Sequence, residues 1–174
     1  ALVKLCPFRI TGFHSDNGSE YINHVVAELL ECLRIGQTKS RPRHSNDNGL
    51  AETKHGSIVR KHFGYAYIPA TESNAHALNT FCINFLNPYL NFHRPCGYAT
   101  TVTDRRGKEK KIYPTGDYRT PYEKLKTLPR AAQYLKTGVT FEELDRIAYA
   151  ESDTEFAVRM GEAKQDAFRK LSFT

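Results

Sequence analysis

Apolar positions in the first third of the chain recur at helical spacing. They fall every three or four residues between positions 22 and 33: Ile22, Val25, Val26, Leu29, Leu30 and Leu33. This spacing predicts an amphipathic helix with one face in the core, ending before Gly36. Residues 8–15 alternate and are β-branched and aromatic, so they predict a strand that stops at the turn signal of residues 16–18. Residues 35–40 predict a short strand, and the polar stretch 41–48 predicts a loop.

Helical spacing returns in two further stretches of the first half. A second helix is predicted from about Asn48 to Phe63, and Gly64 should stop it. A third helix is predicted over residues 72–92, where Pro88 should kink or end it. Its apolar side would consist of Ala75, Leu78, Phe81, Cys82, Phe85, Leu86 and Tyr89.

The second half begins with a hairpin pattern. Residues 98–103 and 110–113 read as two strands, joined by the charged turn 104–107. Prolines and a glycine between residues 114 and 121 indicate a linker. From residue 129 to the end the pattern is helical, and it fits either packing or a self-association surface.

Composition places the chain among globular proteins. Its 174 residues are 40% hydrophobic and 25% charged, close to the averages for folded domains. No stretch approaches the roughly 18 apolar residues of a membrane span, and no leader pattern is visible. The four cysteines have wide, irregular gaps, so we expect a reduced, cytoplasmic chain rather than a disulfide or zinc scaffold.

The positive net charge of the chain suggests a polyanionic partner. The net charge is +6, and residues 1–126 hold 18 Lys/Arg against 11 Asp/Glu, a net of +7. Lys and Arg on phosphates release counterions, so such a body favours nucleic acid. Many basic proteins, however, bind no nucleic acid, and composition alone leaves that open.

Two acids stand out as candidate chemistry. Asp16 closes the first predicted strand, and Glu52 opens the second predicted helix, with 35 residues between them. Carboxylates at a strand end and on a helix can converge and hold Mg²⁺, which prefers oxygen ligands. The alternative is structural: Asp16 as a turn residue and Glu52 as an acid that suits the helix dipole.

The residues around these acids carry a family resemblance. The run His14-Ser15-Asp16-Asn17-Gly18-Ser19-Glu20-Tyr21 resembles the segment around the second catalytic Asp of DDE transposases and retroviral-type integrases. Residues 38–42 and 46–52 resemble the approach to the family's catalytic Glu, with the family's spacing. Residues 93–95 and 120–125 resemble the region that follows the core in bacterial insertion-sequence transposases.

The resemblance implies a fold and an activity. The fold is α/β, a ribonuclease-H-like integrase core represented by its C-terminal part (1–93), then a basic β-hairpin and linker (94–126) and a helical C-terminal tail (127–174). The implied activity is DNA integration by Mg²⁺- or Mn²⁺-dependent nicking and strand transfer. Asp16 and Glu52 would be the second and third metal-binding catalytic acids. The implied partners are the DNA of the mobile element's ends and its target, with self-association and a nucleoid location.

Two departures from the family pattern limit this expectation. The family's first Asp lies on a strand tens of residues earlier, but only 15 residues precede Asp16 and none is acidic. Two of the three acids should bind metal weakly, and a non-catalytic DNA-binding or assembly remnant is the alternative. In retroviral integrases, basic residues lie four and seven positions after the Glu, where this chain has Gly56 and Val59.

Other basic residues are candidates for DNA contact. At about 100° per residue, Arg60 falls about 80° from Glu52 around a helix, so it is the best-placed cation on that element. Arg41 and Arg43 lie in the loop before Glu52, where they contact DNA or are merely solvated. The basic hairpin contributes five charges in seven residues: Arg105, Arg106, Lys108, Lys110 and Lys111. These either follow a phosphate backbone or protect a strand edge.

Overall fold

Two compact units make up the chain, dividing between Tyr67 and Ile68. A computed structural model describes residues 6–16, 18, 22–44, 47, 49–65 and 67–172. Helices and three small two-stranded sheets occur in these residues, so the chain is mixed α and β. The boundaries at residues 93 and 126 were drawn from motifs rather than packing, and they stay predictions.

A parallel strand pair organises the first unit. Strand β1 (Gly12–Ser15) pairs in register with β2 (Gly36–Lys39), and helix α1 (His24–Cys32) makes the crossover that parallel strands require. The second strand lies where the sequence predicts it. The first is shorter than the predicted 8–15, because its partner offers only four residues for pairing.

Helix α1 forms as predicted but buries less than predicted. The Asn23 side chain caps it by accepting a hydrogen bond from the backbone of Val26 at 3.0 Å. Leu30 is buried, whereas Val25 and Leu29 are 75% and 57% exposed. The expectation that the whole apolar face lies in the core is therefore wrong. The described part of the unit has a sheet of only two strands, too narrow to cover that face.

The second predicted helix, α2, is continuous over residues 49–63. It runs as an α-helix over Gly49–Lys54, as a π-helix over His55–Arg60 and as an α-helical turn over Lys61–Phe63. Gly64 ends it with φ +73°, a conformation that glycine adopts at no steric cost. The extent and the stop are confirmed, whereas the π-helical middle has no counterpart in the sequence pattern.

Helix α3 opens the second unit and spans residues 72–93. It consists of Glu72–Phe81, a π-helical segment Cys82–Leu86, and a second π-helical segment Tyr89–His93. Pro88 was expected to kink or end this helix; the helix continues past it to His93, so the second of these alternatives is wrong. Proline removes an i→i−4 hydrogen bond, and the π-helical segments on both sides use i→i+5 bonds instead.

Two antiparallel pairs follow. Strand β3 (Cys96–Gly97) pairs with β6 (Tyr118–Arg119), and β4 (Thr100–Thr103) pairs with β5 (Glu109–Ile112). The second pair is the predicted hairpin. At its tip Asp104 Oδ1 accepts hydrogen bonds from the backbone N–H groups of Arg106 at 2.8 Å and Lys108 at 2.9 Å.

The segment expected to be a linker is ordered structure. A 3₁₀ turn covers Thr115–Asp117, and helix α4 (Pro121–Lys126) begins at a capping box formed by Thr120 and Glu123. Proline is favoured at the first position of a helix because its missing N–H is not needed there. Reading Pro121 as linker punctuation was therefore wrong.

Tyr122 of α4 is 0% exposed and is the most buried large side chain described. Its hydroxyl lies 2.6 Å from Asp145 Oδ1, and the Lys126 ammonium donates to the same carboxylate at 2.7 Å. Burial and this carboxylate raise the pKa of the Tyr122 phenol, while the Lys126 hydrogen bond lowers the pKa of Asp145. The 120–125 motif thus has a packing role.

The C-terminal residues complete the second core. Helices α5 (Phe141–Ala148) and α6 (Asp153–Arg169) form as the pattern predicts, each behind a capping box. Helix α6 packs against α3, and their shared core holds Phe81, Leu86, Phe156 and Met160. Of the two roles left open for this region, packing is the one that the structure displays.

His93 of the 93–95 motif is also part of this core. Its ring is stacked on Phe156 with centroids 4.1 Å apart, and Nδ1 lies 3.1 Å from Asp153 Oδ1.

In the described ranges, no helix combines the length and apolar character needed to cross a bilayer.

Candidate functional site

The carboxyl ends of β1 and β2 lie side by side and position Asp16. The Ser40 backbone N–H donates to the Ser15 carbonyl at 3.0 Å. Asp16 follows at once, is exposed, and accepts a hydrogen bond from the Gly18 backbone at 3.0 Å through Oδ1. The turn role weighed for Asp16 is therefore present. A carboxylate has about four acceptor sites, so this bond leaves capacity for a cation.

The His14 side chain forms hydrogen bonds at the same edge of the sheet. Its Nδ1 lies 2.9 Å from Thr38 Oγ1, and its Nε2 lies 3.2 Å from Ser40 Oγ. Both ring nitrogens thus have hydroxyl partners on β2 or directly after it. This cross-strand contact fixes the backbone from which Asp16 projects.

An ion pair closes the loop that leads to Glu52. Arg41 donates to Asp47 through its backbone N at 3.0 Å, through Nε at 2.9 Å and through Nη2 at 2.8 Å. This bidentate contact holds the pKa of Asp47 well below its usual range and raises the pKa of Arg41. Sequence reasoning missed the pair, although its signal, opposite charges six residues apart within one loop, was present.

The Arg41–Asp47 contact has a consequence for the chain path. It returns residue 47 to residue 41, two positions after the end of β2. Glu52 follows five residues later, exposed, in the first turn of α2. An acid there also suits the helix dipole. That the carboxylates of Asp16 and Glu52 converge stays a prediction.

The remaining basic candidates of the first unit are exposed. Arg43 lies in the loop with φ +63°, a left-handed conformation. Arg60 ends the π-helical segment of α2, and its guanidinium lies 5.5 Å from the centroid of the Tyr65 ring. The angle of about 80° between Arg60 and Glu52 assumed a regular α-helix. The π-helical segment has a different period, so that argument no longer holds.

The basic hairpin belongs to the second unit. All five of its basic residues are exposed. The pairs Val102↔Lys110 and Thr101↔Lys111 place Lys110 and Lys111 on opposite faces, since neighbouring residues of a strand alternate. Arg105, Arg106 and Lys108 occupy or adjoin the turn. Positive charge therefore surrounds the hairpin, and its contact with DNA stays a prediction.

The donor set fits Mg²⁺ in kind but is incomplete in number. Asp16 and Glu52 offer carboxylate oxygens, the ligands that Mg²⁺ and Mn²⁺ prefer. Within the described residues, no group of three or more His, Cys, Asp or Glu side chains is placed to hold a metal ion. Further ligands from DNA phosphates or from another acid would be needed.

Comparison with known proteins yields one relative. A stretch of 72 residues, 41% of this chain, is 34% identical to the uncharacterized protein y4rM of Sinorhizobium fredii (strain NBRC 101917 / NGR234) and covers 21% of that protein. The chain thus spans about a fifth of the length of the curated relative it matches. No protein-family model matches the chain, and no solved structure does.

Proposed function

We propose that this chain is part of a DNA transposase of the DDE type, which nicks a phosphodiester and joins the freed 3′ hydroxyl to target DNA. One observation carries the proposal. Asp16 directly follows a parallel strand, and Glu52 lies in the first turn of the helix reached from the neighbouring strand, with 35 residues between the two acids. The sequence around both acids resembles that family, which supports the same assignment.

Asp16 and Glu52 have the role of cation ligands in this proposal. Mg²⁺ bound there would supply stabilisation of the attacking and leaving oxygens of an in-line displacement at phosphorus. Ser40 and His14 keep the sheet edge in place, so that the backbone of Asp16 is already positioned before a cation binds. The Arg41–Asp47 pair positions the loop through which the chain enters α2.

The basic residues orient DNA. Arg43 and Arg60 lie on the same unit as the two acids and are exposed to solvent. Arg41 contributes less to DNA contact than its charge suggests, because its guanidinium is held by Asp47. The hairpin of the second unit favours a second candidate function, DNA binding without catalysis, because its charge does not depend on either acid.

Mn²⁺ binding by the full chain in the presence of duplex DNA tests the acid pair. The free Mn²⁺ signal in electron paramagnetic resonance reports binding. Asp16→Asn and Glu52→Gln should each weaken Mn²⁺ affinity about tenfold or more, since even the loss of an outer-shell partner costs 10–100-fold at metal sites. Glu28→Gln, an exposed carboxylate on α1, is the control and should leave affinity unchanged.

The outcomes separate the two candidate functions. Equal Mn²⁺ affinity in all three variants would contradict the metal role of Asp16 and Glu52. If duplex DNA were still bound with strong salt dependence in that case, the non-catalytic DNA-binding function would replace the first proposal.

A further inference from the structure

Two exposed tyrosines lie together beside the basic hairpin. Tyr113 directly follows β5 and is 59% exposed, and Tyr118 opens β6 and is 55% exposed. A Cβ at Gly97 would lie 3.3 Å from Tyr113 Cδ1 and 3.2 Å from Tyr118 Cε1. Both rings therefore lie against the same point of the β3 backbone.

Gly97 explains how the two rings come together. It is the register partner of Tyr118 in the β3–β6 pair. Its backbone conformation is not one that requires glycine, so the absence of a side chain matters for close approach. The Tyr113 and Tyr118 rings occupy the space that a side chain at position 97 would take.

The surroundings of these rings are positively charged. Residues 104–111 hold five Lys/Arg against two Asp/Glu. Asp104 is already bonded to the turn backbone, and Asp117 accepts a hydrogen bond from Thr100 Oγ1 at 3.3 Å. Next to Gly97, the Tyr98 ring has the Lys124 ammonium 5.1 Å from its centroid. Aromatic and cationic side chains are thus interleaved over residues 98–124.

We infer that Tyr113 and Tyr118 form a stacking surface for unpaired bases of single-stranded DNA, whose phosphates contact the basic hairpin. Exposed aromatic rings beside basic residues are the recurring design of sites for single strands, because every base has a face that can stack. Bases inside a duplex are already stacked on one another and offer only their edges. The inference rests on the proposed function for its choice of DNA.

A single-stranded site has a place in that function. Nicking and joining produce strand ends, and a frayed end exposes base faces. The rings hold such bases by stacking, which is tolerant of sequence, while the hairpin follows the backbone. An acidic peptide would meet the positive charge but would leave the two rings without a stacking partner.

Binding of a fluorescent twelve-residue thymidine oligonucleotide to the full chain tests the inference. Stacking of one base on an aromatic side chain is worth about fivefold to a hundredfold in affinity. Tyr113→Leu and Tyr118→Leu should each weaken binding by an amount in that range, whereas Tyr113→Phe and Tyr118→Phe should retain it. Tyr149→Leu is the matched control, since Tyr149 is also 59% exposed. Circular dichroism should be the same for all variants.

A second readout reports stacking directly. An oligonucleotide with one 2-aminopurine should lose fluorescence on binding the wild-type chain and recover it with the leucine variants. The inference is overturned if the leucine variants bind the oligonucleotide like the wild type, or if they weaken binding of a duplex of the same length as much as they weaken binding of the single strand. It is also overturned if a polyglutamate peptide at equal ionic strength competes as well as the oligonucleotide.

Failure here is distinguishable from failure of the proposed function. The stacking test uses the tyrosine variants and the acid test uses Asp16→Asn and Glu52→Gln, so each readout depends on a different set of residues. Tyrosine-dependent stacking with no effect of Asp16 or Glu52 on Mn²⁺ would keep this inference and remove the catalytic proposal. The reverse result would remove only the stacking surface.

Discussion

Asn74 ties the two ends of the second unit together. The side chain is 1% exposed, and its amide donates to the Pro69 carbonyl at 3.0 Å and to the Ser172 carbonyl at 2.9 Å. Its Oδ1 accepts from the Ser172 backbone N–H at 3.0 Å. These contacts join residues 98 positions apart in sequence. A buried amide with three backbone partners is costly to remove, because its partners would be left without hydrogen bonds.

We expect Asn74→Ala to lower the free energy of unfolding by about 2–4 kcal/mol, as two or more backbone groups lose their partner at about 1–3 kcal/mol each. Urea denaturation of the full chain measures this loss. Asn79→Ala is the control on the same helix, where the asparagine is exposed, and it should change stability by less than about 0.5 kcal/mol. Similar losses in both variants would contradict the role given to Asn74.

Gly56 of helix α2 can be tested by substitution with alanine. This glycine lies in the π-helical segment, and a Cβ there would meet nothing within 4 Å. Gly56→Ala should therefore raise the free energy of unfolding by up to about 1 kcal/mol, from helix propensity alone. If DNA approaches the helix at this point, the same methyl group should weaken duplex binding.

Gly161→Ala is the control for Gly56→Ala. Gly161 lies in α6, and a Cβ there also meets nothing within 4 Å. Gly161→Ala should also raise the free energy of unfolding, and it should leave duplex affinity unchanged. Equal duplex affinity in the wild type and both variants would contradict an approach of DNA to α2 at Gly56.

Periodicity predicted most elements, and the misses have physical causes. Helices α1 and α2, strand β2 and the basic hairpin follow from spacing and turn residues, which are local signals. The π-helical segments do not, because each covers only five or six residues, too few for its different period to show in the apolar spacing. The burial of α1 was overestimated, since a pattern shows which face is apolar and not whether a partner surface covers it. Pro121 was misread because proline also opens helices.

The part of the candidate site that depends on local sequence signals was predictable, and the rest was not. Asp16 follows a strand that alternation predicts, and Glu52 lies in the first turn of a helix that spacing predicts. The Arg41–Asp47 pair was not predicted, because it depends on the conformation of a loop without periodicity. The Tyr113–Tyr118 pair was missed because only the β3–β6 register brings residues 97 and 118 together.

The two units carry equal net charge but distribute it differently. The first, up to residue 67, holds nine Lys/Arg and six Asp/Glu, and the second holds 16 and 13, so each has a net charge of +3. In the second unit, the five basic and two acidic residues of segment 104–111 account for the whole excess. A polyanion that binds this unit should therefore contact the hairpin first.

This distribution predicts the salt dependence of DNA binding by the whole chain. For duplex DNA the logarithm of affinity falls with the logarithm of salt concentration by about 0.9 per phosphate neutralised. The triple variant Arg105→Gln, Arg106→Gln and Lys108→Gln should lower that slope by about 2–3. A control with three exposed charges removed elsewhere in the second unit, Arg130→Gln, Arg146→Gln and Lys170→Gln, should keep the slope. Because both variants lose the same net charge, an equal loss of slope would show that overall charge, and not the hairpin, holds the DNA.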